Sequence, residues 1–232
     1  MKAVILAGGF GTRLRPVTYE IPKPLIPIQG KALLEHIIEI LKPAGVDEVT
    51  ISLFHLADKI KEHFKDGTYK GVRINFIVEE KPLGTAGWMR IIKPLKGDFL
   101  VVNGDVMFDF DIKRFVDFHK EKGGAGTIAL KEVDDPSRFG VADLEGDRIA
   151  RFIEKPKKEE APSNYINAGY YVLNEKVFGM LPEDKDMIMF EKDVFPKLAE
   201  KGLLYGFKSE GQWFDTGTFE AWERVIMEWK KK

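Results

Sequence analysis

The sequence AVILAGGFGTRLRP at residues 3–16 decides the fold of this chain. Its first part, Ala3 to Ala7, is a continuous apolar run, which predicts a strand buried on both faces. Glycines follow at once, and glycines directly after a first parallel strand let the backbone come close to an anion. The stretch therefore predicts an α/β fold with an anion-binding turn after its first strand.

Outward from this stretch, apolar runs alternate with helical patterns, which predicts a mostly parallel sheet with helices on both faces. In the first half we predict strands at 49–53, 73–78 and 99–102 and helices at 33–41, 56–65 and about 85–92. In the second half we predict strands at 127–130, 140–144, 149–153 and 170–173, helical stretches at 174–180, 190–201 and about 218–230, and a solvated lysine end at 230–232. The fold class predicted is α/β, a Rossmann-like three-layer sandwich with a mostly parallel, mixed central sheet.

Composition excludes several function classes. The 36 Lys and Arg balance 37 Asp and Glu among 232 residues, which argues against a nucleic-acid-binding protein. There is no cysteine and only four histidines, so a metal site would use oxygen ligands and favour Mg²⁺. No apolar run approaches the roughly 18 residues that span a bilayer, and a strand begins without a signal region. We therefore expect a cytoplasmic protein without membrane partners; the oligomeric state stays open, a homo-oligomer included.

Two familiar phosphate loops fail against the glycine-rich stretch. A Walker A loop needs Lys and then Ser or Thr after its last glycine, but Thr12 and Arg13 follow Gly11. A dinucleotide fingerprint needs a third Gly or Ala, and Leu14 stands there. What remains is a glycine turn that carries a fixed cation, Arg13, followed ten residues later by Lys23, which is held between two prolines that restrict its direction.

The longer stretch GGFGTRLRPVTYEIPKPL, residues 8–25, resembles the signature of the sugar-phosphate nucleotidyltransferases, also called nucleotide-sugar pyrophosphorylases. The resemblance implies the nucleotide-diphospho-sugar transferase fold and a loop that wraps a nucleoside triphosphate. By the same resemblance Arg13 holds the phosphates that leave as pyrophosphate, and Lys23 also reaches them, which suits the charge that develops there. The implied nucleotide-binding positions here are Leu6, Ala7, Gly8, Gly9, Gly11 and Thr12.

The resemblance also includes two aspartates that lie far apart in the sequence. Asp105 follows a predicted strand, at the edge where parallel sheets bind ligands, and Gly104 before it would let a nucleotide approach. Asp215 lies in WFDTGT, residues 213–218, where a turn or helix N-cap is the alternative interpretation. The family signature covers both segments and implies that Asp105 and Asp215 hold the Mg²⁺ that bridges the substrate phosphates.

A separate acidic pair, Asp109 and Asp111, follows the same strand. A D-x-D sequence would also fit a metal-dependent glycosyltransferase, which consumes a nucleotide-sugar. Asp111, however, directly precedes a helical pattern and is predicted to be its N-cap.

The sugar-phosphate side rests on the order and spacing of three segments that match the family. The resemblance implies that Gly140 and Glu154 contact sugar hydroxyls, that Lys155 binds the sugar phosphate, and that Asn167 lies in the same pocket. An ammonium that neutralises the attacking phosphate is chemically coherent. We assign residues 190–196 mainly to structure, with Asp193 as a further sugar-side candidate.

Residues 79–87, EEKPLGTAG, resemble the base-recognition loop of the family, with Gly84 and Thr85 at nucleotide-binding positions. Glu79 offers only acceptors, and guanine shows two adjacent donors that a carboxylate can meet in bidentate fashion. Glu79 thus favours GTP over dTTP and UTP, whose bases an amide would suit better. A solvated Glu79 at a strand end is the alternative, and adenylyl relatives share the G-T-A-G sequence.

Across nearly the whole chain the resemblance is strongest to the catalytic domain of the guanylyltransferase branch that uses mannose 1-phosphate. It implies Mg²⁺-dependent attack of a sugar 1-phosphate on the α-phosphorus of GTP, with release of pyrophosphate. We predict one domain, 1–232, with a nucleotide half at 1–110 and a sugar-phosphate half at 111–232. The alternatives are glucose-1-phosphate thymidylyl- or uridylyltransfer and, in another class, an inactive nucleotide-sugar-binding regulatory subunit.

Overall fold

A computed structural model describes residues 1–230. Strands and helices alternate over residues 2–78, as the sequence predicts. The strands are β1 Lys2–Leu6, β2 Pro27–Ile28, β3 Lys31–Ala32, β4 Glu48–Leu53, β5 Thr68–Tyr69, β6 Val72–Val78, β7 Asp98–Asn103, β8 Val106–Phe108, β9 Gly126–Glu132, β10 Gly140–Glu145, β11 Arg148–Glu154, β12 Tyr165–Asn174, β13 Leu204–Lys208 and β14 Trp213–Asp215.

The α-helices are α1 Leu33–Leu41, α2 Ala57–His63, α3 Ile112–Lys122, α4 Phe195–Glu200 and α5 Phe219–Glu228. Short 3₁₀ turns lie at Thr12–Leu14, Val17–Tyr19, Lys23–Leu25, Lys42–Ala44, Gly87–Arg90, Lys158–Glu160 and Glu175–Met180, and a π-helical turn at Phe190–Val194. Lys231 and Lys232, in the predicted lysine end, lie outside the described residues. No helix within residues 1–230 is long and apolar enough to cross a membrane.

The chain divides into two compact units. The first comprises residues 1–82, 102–112 and 211–232, and the second comprises 83–101 and 113–210. These bounds describe packing, whereas the predicted halves 1–110 and 111–232 concern function and stay a prediction.

The first unit is built on parallel strands. β1 pairs with β4 in parallel, and β4 pairs in parallel with β6, whose outer edge carries the antiparallel β5. Val4, Ile5, Val49 and Ile51 are fully buried or nearly so, as the apolar runs predict. Because the strands are parallel, their carboxyl ends meet at one edge, where the glycine-rich stretch leaves β1.

The second unit is mainly antiparallel. Its strands run in the order β10, β11, β13, β9, β12, and only the β13–β9 pair is parallel. An aromatic cluster of Phe152, Tyr171, Phe190 and Phe195 packs beside them, with ring centroids 5.0–5.8 Å apart. With the parallel strands of the first unit, this confirms an α/β fold with a mixed central sheet.

The helix predicted at 85–92 is wrong: only Gly87–Arg90 forms a short 3₁₀ turn. Gly84 has φ +80°, outside helical space, and the backbone N–H of Ala86 donates to the carbonyl of Ile188 at 2.9 Å instead of joining a helix. The indole of Trp88 also donates to the carbonyl of Thr85 at 3.0 Å. Tertiary hydrogen bonds thus override the helical pattern.

Candidate active site

Lys23 and Asp105 meet in the first unit. Nζ of Lys23 donates to Oδ2 of Asp105 at 2.7 Å, and the Lys23 side chain is only 10% exposed. Lys23 begins a 3₁₀ turn and lies between Pro22 and Pro24, which fix its backbone as the sequence predicts. The predicted phosphate-binding cation and one predicted metal ligand therefore share a direct contact.

A short two-stranded antiparallel ladder brings Asp215 close to Asp105. β14 pairs with β8 in antiparallel fashion, with Asp215 opposite Val106, the residue after Asp105. Thr216 extends the link, because its backbone N–H and its Oγ1 both donate to the carbonyl of Asp105, at 3.0 and 2.9 Å. The two aspartates, far apart in sequence, are neighbours for this reason.

The two carboxyl groups have opposite electrostatic environments. Burial alone would raise the pKa of Asp105, but the Lys23 ammonium, with help from Arg13, holds it below its ordinary value. Burial and then the Asp105 charge raise the pKa of Asp215 above its ordinary value, and Lys23 and Arg13 only partly offset this. A site that holds two carboxylates this close favours a bound cation.

Gly217 leaves room for Arg13. A Cβ at Gly217 would lie 2.6 Å from Nη2 of Arg13 and 2.9 Å from Oδ1 of Asp215. Arg13 itself follows Gly11, whose φ of +62° turns the chain into the 3₁₀ turn Thr12–Leu14. Arg13 thus lies beside Asp215 without a side chain between them.

These residues fit a divalent metal ion. Oδ1 of Asp215 is buried and accepts no hydrogen bond from residues 1–230. Mg²⁺ is commonly held by one or two carboxylates plus phosphate oxygens and water. Within the same residues no group of three or more acidic or histidine side chains could hold a metal, so a two-carboxylate site is the arrangement the chain offers.

The predicted base-recognition residue lies beside the glycine-rich turn. Glu79 is 8% exposed, and its Oε1 accepts a hydrogen bond from Oγ of Ser52 at 2.7 Å. A Cβ at Gly8 would lie 3.9 Å from that Oε1, and the N–H of Ala7 donates to the carbonyl of Ser52 at 2.8 Å. The structure therefore disfavours a freely solvated Glu79.

At two glycines predicted to bind the nucleotide, protein backbone occupies the space that a side chain would need. A Cβ at Gly104 would lie 2.6 Å from the carbonyl oxygen of Leu6, and one at Gly84 would lie 2.5 Å from that of Ile188. Each glycine is thus required by a neighbouring segment of its own unit. Thr85 likewise uses its hydroxyl internally: Oγ1 donates to Oε2 of Glu191 at 2.7 Å and accepts the N–H of Phe190 at 2.8 Å.

One of the predicted sugar-phosphate residues of the second unit, Lys155, has a strained backbone conformation. Lys155 has φ +50°, a left-handed conformation that is uncommon outside glycine. Its Nζ lies 3.3 Å from Oε1 of Glu154, while Oε2 of Glu154 is buried and unpartnered among residues 1–230. A Cβ at Gly140 would lie 3.0 Å from that Oε2. Gly140, Glu154 and Lys155 are therefore brought together.

Asn167 and Asp193 have structural partners. The amide of Asn167 donates to the hydroxyl of Tyr171 at 2.9 Å and accepts the N–H of Gly169 at 2.8 Å, which holds an irregularity in β12. Asp193 accepts from Nζ of Lys185 at 2.5 Å and from the N–H of Met189 at 2.8 Å. Asp193 thus acts as a structural cap, as its segment predicts.

Ser52, Thr216 and Glu191 were not singled out from the sequence. Ser52 lies between two apolar residues and Thr216 directly precedes a glycine, and these positions in the sequence could have indicated both. Glu191 is buried, and burial raises its pKa. The hydrogen bond donated by Thr85 lowers the pKa and only partly offsets the effect of burial. Asp111 directly precedes α3, the place predicted for an N-cap.

The chain matches a family model described as nucleotidyl transferase over residues 2–232. A mannose-1-phosphate guanyltransferase of Candida albicans is 42% identical over 94% of this chain. The mannose-1-phosphate guanylyltransferase catalytic subunit beta of Xenopus tropicalis is 38% identical over 94% of this chain. The chain spans 61% of the length of both relatives.

Two solved structures have the same fold as this chain. HddC from Yersinia pseudotuberculosis, solved with GMP-PN, is 32% identical over 99% of both chains, with a TM-score of 0.80. A Bacillus anthracis protein solved with sucrose is 28% identical, covers 100% of this chain and 98% of its own, and has a TM-score of 0.86. The nucleotide-diphospho-sugar transferase fold expected from the sequence is confirmed.

Proposed function

Because this chain belongs to the nucleotidyl transferase family, we propose that it transfers a guanylyl group from GTP to mannose 1-phosphate and releases pyrophosphate. The observation that supports the proposal most directly is the cluster of Arg13, Lys23, Asp105 and Asp215 in the first unit. It combines two cations with two carboxylates, as a triphosphate and its metal ion require.

The chemistry needs no protein nucleophile. The phosphate monoester of the sugar is already an anion at neutral pH, so positioning and charge neutralisation supply the acceleration. Arg13 and Lys23 stabilise the leaving pyrophosphate, and Lys155 orients the attacking phosphate. The backbone from Leu6 to Thr12 lies along the triphosphate.

We assign Mg²⁺ to the two carboxylates. Asp105 and Asp215 would hold it, and Oδ1 of Asp215 is the buried acceptor that supports this assignment. When bound, the ion would neutralise the phosphate charge that develops as pyrophosphate leaves. Lys23, 2.7 Å from Asp105, keeps that carboxylate oriented toward the same phosphates.

Specificity for guanine rests on Glu79, whose buried carboxylate can accept two adjacent donors. Mannose 1-phosphate is supported by the names of the relatives, and a sugar phosphate of some kind by the group of Gly140, Glu154 and Lys155. Residues 1–110 would then serve mainly the nucleotide and 111–232 mainly the sugar phosphate, with Asp215 as the exception.

A pyrophosphate-release assay tests the proposal. It crosses GTP, dTTP, UTP, ATP and CTP with mannose, glucose and heptose 1-phosphates, with Mg²⁺ or with EDTA. We expect the largest kcat/KM for GTP with mannose 1-phosphate and no release in EDTA. A preference for dTTP with glucose 1-phosphate would overturn the specificity, and no release with any pair would overturn the reaction.

A further inference from the structure

Ser52 is a buried polar residue near the carboxyl end of β4 in the first unit. It lies in β4 between Ile51 and Leu53, and 1% of it is exposed. A buried hydroxyl destabilises a fold unless it is hydrogen-bonded. Ser52 meets this requirement through Oε1 of Glu79, at 2.7 Å, rather than through its own strand.

The backbone of Ser52 contacts the end of β1, where the glycine turn begins. Ser52 lies opposite Leu6 in the β1–β4 register, and its carbonyl accepts the N–H of Ala7 at 2.8 Å. Ala7 is the last residue before the glycine turn. One residue therefore holds the start of that turn with its main chain and Glu79 with its side chain.

The hydrogen bond from Ser52 limits the orientation of the Glu79 carboxylate. The main chain of Glu79 is already held, because its N–H donates to the carbonyl of Leu53 at 2.8 Å. The side chain still has several rotatable bonds, and ordering it costs conformational entropy. With Oε1 held by Ser52 and lying near Gly8, that entropy is lost before a base binds.

We propose that Ser52 is a positioning residue for base recognition, which sets the plane of the Glu79 carboxylate for the N1–H and N2–H₂ donors of guanine. This inference rests on the proposed function and adds a residue to it. A carboxylate accepts about four hydrogen bonds, so the bond from Ser52 does not by itself saturate Glu79. Bidentate recognition depends on the angle of the carboxylate, and Ser52 controls that angle.

Inosine triphosphate is the probe that isolates this role, because its base lacks only the 2-amino group of guanine. With Ser52→Ala we expect the ratio of kcat/KM for GTP to that for ITP to fall roughly ten-fold, equivalent to one hydrogen bond. The KM for mannose 1-phosphate should stay unchanged. Thr50→Val removes a hydroxyl from the same strand and should keep the wild-type ratio.

A double-mutant cycle separates positioning from general damage. Glu79→Gln should itself lower the GTP to ITP ratio, and adding Ser52→Ala to it should change the ratio no further, because Ser52 acts through Glu79. If Ser52→Ala keeps the wild-type ratio, or if the two effects add independently, the inference is wrong.

Ser52→Cys covers the case in which Ser52→Ala does not fold. A thiol is close in size and is a weak donor, so the ratio should fall to an intermediate value, and a wild-type ratio would contradict the inference. A wild-type enzyme that transfers no guanylyl group overturns the proposed function as well. A wild-type enzyme that prefers GTP, with an unchanged ratio in Ser52→Ala, overturns this inference alone.

Discussion

The ammonium of Lys23 and the carboxylate of Asp105 lie 2.7 Å apart although 82 positions separate them in the chain. One of these groups is proposed to bind phosphate and the other a metal ion. Their contact couples the two proposed ligands, because moving either side chain would change the charge presented to both.

Lys23→Met should therefore impair catalysis more than folding. Loss of a cation that stabilises the leaving pyrophosphate is expected to lower kcat about 100- to 1,000-fold. The measurement is pyrophosphate release from GTP with mannose 1-phosphate. Lys31→Met, which removes an ammonium paired with Glu39, is the matched control. Equal losses in both variants would contradict a specific role for Lys23.

Asp215→Asn should stabilise the metal-free protein. The pKa of Asp215 is raised, so its ionised form opposes folding at neutral pH, and this effect is lost as the pH falls from the raised folded-state value to the ordinary value of 3.8. We expect the free energy of unfolding in EDTA to rise by about 0.5–2 kcal/mol, the usual size of a stabilising substitution that removes a destabilising functional group. Urea denaturation at pH 7 measures it.

The same Asp215→Asn variant should lose metal-dependent activity. Asp66→Asn, at an exposed aspartate, is the control and should change neither property. A variant that is less stable than wild type in EDTA would mean that Asp215 is a structural residue.

Thr216→Val should weaken the metal response through the backbone of Asp105. The substitution keeps the shape of the fully buried side chain and removes the Oγ1 bond to the Asp105 carbonyl. We expect a loss of about 1 kcal/mol in stability and a higher Mg²⁺ concentration for half-maximal activity. Thr218→Ala, which removes the cap of α5, should cost similar stability and leave the Mg²⁺ dependence unchanged.

His119 should make stability depend on pH. Burial lowers its pKa from 6.5, and the nearby Asp98 only partly opposes this. Below pH 6.5 the unfolded chain binds the proton more readily than the folded chain, so the His119 contribution is present above that pH and is lost as the pH falls through the lower folded value. Urea unfolding between pH 5 and 7.5 should therefore show a falling stability on acidification.

His119→Asn should flatten that dependence, because the amide can still bond Thr127, as Nδ1 of His119 does at 2.8 Å, but does not titrate. His63→Gln, at a histidine whose side chain is 34% exposed, should retain the wild-type slope. If both variants retain it, the source lies elsewhere in the chain.

Local sequence patterns predicted the first unit well. The apolar run of β1 and the glycines after it follow from short-range rules, and so does the pair of prolines around Lys23. The β8–β14 ladder could not be predicted, because its strands have three residues each and lie more than 100 positions apart. Only tertiary contact brings Asp215 to Asp105.

The glycines show a second limit of sequence reasoning. Gly84 and Gly104 were expected to bind a nucleotide, which stays a prediction, and each makes room for a carbonyl oxygen of the protein. A sequence tells that a residue must be small, but it does not tell which group approaches. The helix expected at 85–92 failed for a related reason, since the backbone N–H of Ala86 donates to the carbonyl of Ile188.

The side-chain charge and the backbone strain of Lys155 can be tested separately with two variants. Its φ of +50° destabilises any residue that has a Cβ, typically by about 1–2 kcal/mol, and glycine adopts it without strain. Lys155→Gly should therefore unfold at a higher temperature than Lys155→Ala, while both raise the KM for mannose 1-phosphate and lower kcat. Thermal melts and steady-state kinetics on the two variants check this. If Lys155→Ala matches Lys155→Gly in stability, the left-handed conformation carries no strain; if either keeps the wild-type KM, the ammonium does not bind the sugar phosphate.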